Sequence, residues 1–114
     1  MSDPLLSFLG IVKKSGNLVF GMDSVKKYCL DGKVKLILLT SDISKNSFDK
    51  IVQFLRNLSI KYVIIDFTKE DINLHLKKYV AILGVLDVGM ADKILSLNSN
   101  NLNSERNDVY NDKI

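Results

Sequence analysis

Residues Lys14–Thr40 read KSGNLVFGMDSVKKYCLDGKVKLILLT, and this stretch decides the fold. It predicts a short strand at Leu18–Phe20, a sharp turn at Gly21, a helix from about Met22 to Leu30 and a buried strand at Val34–Leu39. Gly21 lets the backbone turn tightly where a side chain would obstruct. The helix that follows opens with bare N–H groups and the positive end of its dipole, beside Asp23, Ser24 and Lys27. Lys27 stands four residues after Asp23 and three after Ser24, so the three side chains share one face. A helix N-terminus, close backbone access, two hydrogen-bonding groups and a cation in one place suit a phosphate or a nucleic-acid backbone. A merely solvated helix start has the same spacing, and the stretch alone leaves both open.

Upstream, Asp3-Pro4 is a helix start, with Asp3 as N-cap and Pro4 in the first helical position. Leu5, Leu6, Phe8, Leu9 and Val12 make an apolar stripe at helical spacing, and Gly16 stops the helix after Lys13 and Lys14. Downstream, Asp31-Gly32 turns the chain into the second strand. Asp42 or Ser44 caps a helix of about 12 residues carrying Phe48, Ile51, Val52, Leu55 and Leu58. Tyr62–Ile65 is a third strand. Thr68 caps a fourth helix with Glu70 and Asp71 in its first turn, where they complement the dipole. Val80–Leu86 is a fourth strand, with Gly84 marking a close approach of neighbouring groups. Asp87-Val88-Gly89 leads into a last helix ending near Leu97.

From Asn98 onward six asparagines fall in 17 residues without apolar periodicity, and residues 98–114 are expected to form a disordered tail. Helices and strands alternate through residues 1–97, and the strands are short and apolar enough to be covered on both faces. That order predicts a single α/β domain, a three-layer α/β/α sandwich.

The chain has 114 residues, 46% of them hydrophobic and 25% charged, which suits one globular domain with a sizeable core. Its longest apolar runs are too short to span a bilayer, and its first residues lack the basic segment of a secretory signal. Cys29 is the single cysteine, so it has no disulfide partner and no spacing partner for zinc. Those features point to the cytoplasm. The formal charge is +3. Residues 1–60 hold nine basic against five acidic side chains, whereas the remainder holds seven against eight, so the positive potential sits with the Gly21 turn.

No Ser/His/Asp set, placeable carboxylate pair or metal-ligand cluster is present, and His75 is the single histidine. Gly16 and Gly21 are separated by a strand and do not form a dinucleotide fingerprint. A non-enzymatic binding module without cofactor or metal is the expected class.

The run Phe8–Gly21, FLGIVKKSGNLVFG, resembles the opening of YlxQ-type bacterial proteins, a branch of the kink-turn RNA-binding ribosomal-protein family of the L7Ae type. The resemblance continues through Gly32–Ser44, at Lys61–Val63 and at Gly84–Ala91, and covers about residues 5–97. It implies a four-stranded mixed sheet between helix layers, with RNA bound along one edge. In that family a Gly-x-Asn-Glu-x-x-Lys motif opens the second helix and reads the sheared G·A pairs of a kink-turn. The matching residues are Gly21, Met22, Asp23, Ser24 and Lys27. Asp23 replaces the asparagine and Ser24 the glutamate. An ionised Asp only accepts hydrogen bonds, and Ser is too short to reach where Glu would.

The family's second contact is the loop before the fourth strand, where Lys77, Lys78, Tyr79 and Val80 stand here and the helix-ending glycine appears as Leu76. The lysines suit phosphates, and Tyr79 suits stacking on an unpaired base. Lys13 and Lys14 join Lys27, Lys77 and Lys78 as expected phosphate contacts. The resemblance implies a monomeric cytoplasmic protein of structured RNA, ribosomal RNA and ribosomal proteins being its expected partners, with no membrane. The altered Asp23/Ser24 pair keeps open an adaptor of the same fold that binds proteins and has lost base recognition.

Overall fold

The computed structural model describes residues 3–101 and 109–111, with side chains described from Asp3 to Asn98. In chain order the elements are α1 (Pro4–Lys14), β1 (Leu18–Phe20), α2 (Met22–Leu30), β2 (Leu36–Leu39), α3 (Lys45–Phe54), a 3₁₀ turn (Leu55–Asn57), β3 (Lys61–Ile64), α4 (Lys69–Leu76), β4 (Ile82–Val85), α5 (Val88–Asn101) and β5 (Val109–Asn111). The sheet order is β1-β4-β2-β3-β5. β4 runs antiparallel to both β1 and β2, β2 and β3 are parallel, and β5 is antiparallel to β3. The first four strands form the expected mixed sheet; β5 extends it at the β3 edge.

Alternation along β2 builds the two cores. Leu36 and Leu38 face α1, α4 and α5, joining Leu5, Leu9, Val12, Ile72, Leu76 and Ile94. Ile37 and Leu39 point the other way, joining Val25 and Cys29 of α2 and Ile51 and Leu55 of the α3 segment. All four β2 side chains are fully buried, as a strand covered on both faces requires. The molecule is therefore the three-layer α/β/α sandwich that the alternating elements predict. Gly84 sits where a Cβ would come within 3.0 Å of Val19 Cγ2 and 3.3 Å of Val25 Cγ2, which is the close approach its place in β4 implies.

Element ends follow local chemistry. Asp3 Oδ1 accepts from the Leu5 and Leu6 N–H groups, at 2.8 and 3.4 Å. Ser44 Oγ accepts from Ser47 N–H at 3.1 Å. Thr68 and Asp71 form a reciprocal capping box, with bonds of 3.1 and 2.9 Å. Strand boundaries differ from expectation where backbone pairing, not burial, decides them. Val34 is buried but precedes the ladder, and β4 is trimmed at both ends to the residues that β1 and β2 can pair. The 12-residue helix closes instead as a ten-residue α-helix with a 3₁₀ turn.

Two parts of the segment expected as a tail carry secondary structure. Helix α5 continues past Leu97 to Asn101 with Asn98 buried, and Val109–Asn111 pairs with Val63–Lys61. Neither shows in apolar periodicity, because helix continuation and backbone pairing need no apolar stripe. The rest of the tail, residues 102–108 and 112–114, lies outside the described residues.

Candidate nucleic-acid interface

Four helices begin on a side-chain oxygen: α1 on Asp3, α3 on Ser44, α4 on Thr68 and α5 on Asp87, whose Oδ2 accepts from Met90 N–H at 2.8 Å. Helix α2 begins on Gly21 and has no side-chain cap. Gly21 adopts φ 92°, ψ 156°, a region that side chains rarely enter, and this turn brings the chain directly from β1 into α2. The first N–H groups of a helix have no intrahelical acceptor, so the α2 start presents bare donors at the positive end of its dipole. Asp23, Ser24 and Lys27 are all exposed beside those donors, and Met22 is half-buried against the α2–α3 core.

The second candidate segment lies against the first. Gly21 N–H donates to the Ile82 carbonyl at 2.8 Å, which fixes the β1–α2 turn to the start of β4. Lys78 places its ammonium 5.9 Å from the centroid of the Phe20 ring, so the residue before the Gly21 turn touches the loop before β4. Tyr79 is 61% exposed, with the Lys69 ammonium 5.9 Å from its ring centroid. Val80 is partly buried against the α1–α4–α5 core and anchors the loop from below. Lys77 is exposed and takes φ 64°, ψ 30°, the left-handed conformation that ends α4. The turn that the family resemblance places at Leu76 therefore falls on Lys77, while Leu76 is still helical and buried.

Two lysines of α1 separate in role. Lys14 is exposed at the end of the helix, whereas Lys13 turns inward and donates to the Leu76 carbonyl at 2.8 Å. Lys13 thus gives one of its donors to the end of α4. Nothing local in the sequence signals this, because the partners are 63 residues apart. The Phe20–Lys78 and Lys69–Tyr79 contacts were equally invisible, since each joins different elements.

Behind Tyr79, the Lys69 N–H donates to Asp42 Oδ1 at 3.0 Å and ties the β2–α3 loop to the start of α4. Desolvation pushes the Asp42 carboxyl up, but the interactions that favour its charged form, among them the Lys69 N–H and the Lys69 charge, together outweigh it and hold the pKa below its usual value. His75 is exposed, its Nδ1 3.0 Å from the Asp71 carbonyl oxygen. Among the described residues, no three His, Cys, Asp or Glu side chains come together as a metal site, and no helix is long and apolar enough to cross a membrane.

The sandwich, with its uncapped second helix set against the loop before β4, places this molecule in a known class: the chain belongs to the ribosomal protein L7Ae/L30e/S12e/Gadd45 family, which matches residues 4–95. It is similar to the RNA-binding protein YlxQ of Bacillus subtilis (strain 168), at 28% identity over 89 residues, covering 78% of this chain and 89% of that protein. The same fold occurs in a solved structure of a Bacillus halodurans protein of unknown function, with TM-score 0.75 and 24% identity over 84% of this chain and 97% of that one. Strand β5 lies beyond the family match.

Proposed function

We propose that this chain is a non-enzymatic, cytoplasmic RNA-binding protein that associates with the ribosome and holds structured, kink-turn-like RNA across the α2 start and the 77–80 loop. The observation that carries the proposal is the uncapped α2 N-terminus fastened beside that loop. Membership of the family and the name of the B. subtilis relative support it.

The division of labour follows from the chemistry of each group. The α2 N–H donors, Lys14, Lys27, Lys77 and Lys78 meet phosphate oxygens, which fix position without reading sequence. Tyr79 offers a ring face to an unpaired base, with Val80 packed beneath the loop. Asp23 offers only acceptors and Ser24 only a short hydroxyl, so this pair contributes little base discrimination. An adaptor function is the second reading, favoured by the exposed acceptor-only Asp23 at the helix start, where protein N–H donors fit as well as bases.

The test is binding to a kink-turn RNA over a salt series. Each phosphate contact contributes a slope of about −0.7 to −0.9 to log affinity against log salt. Four lysine contacts therefore give a slope near −3. Affinity that is flat from low to physiological salt rejects the RNA reading, and capture of ribosomal proteins from nuclease-treated extract would then favour the adaptor.

A further inference from the structure

We infer that Lys13 is a positioning residue: its ammonium clamps the end of α4 and so sets the geometry of the 77–80 loop for RNA, an inference that rests on the RNA reading above. A helix ends with carbonyl groups that lack intrahelical donors, and a glycine in the left-handed conformation commonly closes it. Here the left-handed position is held by Lys77, whose Cβ makes that conformation unfavourable. Something must therefore hold the helix end in place. Lys13 does so from another element. It donates to the Leu76 carbonyl, the last residue of α4, at 2.8 Å. It also brings a positive charge to the negative end of the α4 dipole.

The clamp stands at the root of the loop. One residue after it the chain turns left-handed at Lys77, and the next residue carries its ammonium to the Phe20 ring at the edge of the Gly21 turn. Tyr79 follows, exposed. Loss of the Leu76 bond lets the last turn of α4 fray, and Lys78 and Tyr79 then lose their fixed relation to the α2 start. Lys13 thus acts on RNA through the loop without touching it. Lys14, one residue away and exposed, acts directly.

The two roles separate in a measurement on the full chain. Lys13→Met keeps the aliphatic stem and removes the donor; Lys14→Met removes an exposed charge. With a kink-turn RNA, Lys13→Met weakens binding about tenfold, the order set by one hydrogen bond to a charged group, while the salt slope stays at the wild-type value. Lys14→Met lowers the steepness of the slope by about one contact. Lys13→Arg, which retains a donor of similar reach, restores most of the affinity. Amide hydrogen exchange gives a readout independent of RNA: Lys13→Met accelerates exchange at Lys77, whose N–H donates to the Asn73 carbonyl at 2.9 Å, and leaves the β2 and β4 amides protected. A reduced salt slope for Lys13→Met, or unchanged exchange at Lys77, overturns the inference. Absence of RNA binding by the wild-type chain overturns the RNA reading instead, and exchange at Lys77 then still decides whether the clamp exists.

Discussion

Gly21 N–H and the Ile82 carbonyl oxygen lie 2.8 Å apart, and this bond sets the start of α2 beside the loop that precedes β4. The two segments are about 60 residues apart in sequence. They meet because β1 and β4 pair antiparallel, with Phe20 opposite Leu83, so the end of one strand lies beside the start of the other. The sheet register thus builds the candidate interface.

Two glycines near this junction respond differently to alanine. Gly21→Ala introduces no clash, since nothing lies within 4 Å of the added Cβ, but φ 92° strains the backbone. Gly84→Ala keeps an ordinary backbone and pushes its methyl to 3.0 Å from Val19 Cγ2. The strain costs about 1–3 kcal/mol and the overpacking also about 1–3 kcal/mol. Urea denaturation should show both losses. RNA affinity should fall well beyond the stability effect for Gly21→Ala, because the α2 start moves, and should be kept by folded Gly84→Ala.

Cys29 should resist thiol reagents in the folded chain. It is 4% exposed, and burial pushes its thiol from 9.0 up to about 11. At neutral pH that shift leaves about a hundredfold less thiolate than a free cysteine has. The stability that the protonated thiol contributes is full below pH 9 and is lost as pH rises through 11. Labelling by an aromatic disulfide should be slow in buffer and rapid in denaturant. Fast labelling of native protein would contradict the buried position.

The sandwich was legible because its signals are local. Asp3-Pro4, Thr68 with Asp71, and the apolar run Leu36–Leu39 each specify their own element. The candidate site was legible in part: Gly21 and Lys27 announce the α2 start within a few residues. The hydrogen bond from Lys13 to the Leu76 carbonyl was not legible, because a lysine at a helix end looks the same whether it faces solvent or another helix. The left-handed end of α4 at Lys77 was not legible, because a lysine gives no sign that it will be left-handed.

Truncation after Asn101 tests β5. Removing residues 102–114 takes away the antiparallel pairing of Val109–Asn111 with β3 and opens that sheet edge. A few backbone hydrogen bonds, offset by chain entropy, leave a net loss of about 1 kcal/mol. Calorimetry should show Tm lower by roughly 4–8 °C. An open edge with buried Tyr62 and Val63 beside it also invites edge-to-edge pairing, so light scattering should detect self-association at high concentration. An unchanged Tm in a strictly monomeric protein would show that β5 contributes nothing to the fold.

If RNA binds as proposed, the exposed pair Asp23 and Ser24 sets how well the chain separates a kink-turn from other folded RNA. Both are exposed at the uncapped α2 start, where, under the proposed RNA reading, the dipole and Lys27 meet the RNA backbone whatever its sequence. Asp23 accepts but cannot donate, and Ser24 is short, so the wild-type chain should discriminate only weakly between a kink-turn and a version lacking its G·A pairs. Asp23→Asn with Ser24→Glu adds an amide donor and a longer acceptor. A good bidentate base contact gives roughly 1–3 kcal/mol of discrimination, so the double variant should prefer the intact kink-turn by about tenfold or more. Lys27→Ala should weaken binding to both RNAs alike. Filter binding of the three proteins to the two RNAs reads all of this at once. Strong discrimination by the wild type would mean that Asp23 and Ser24 read bases as they stand, and an unaltered Lys27→Ala would move the RNA away from the α2 start.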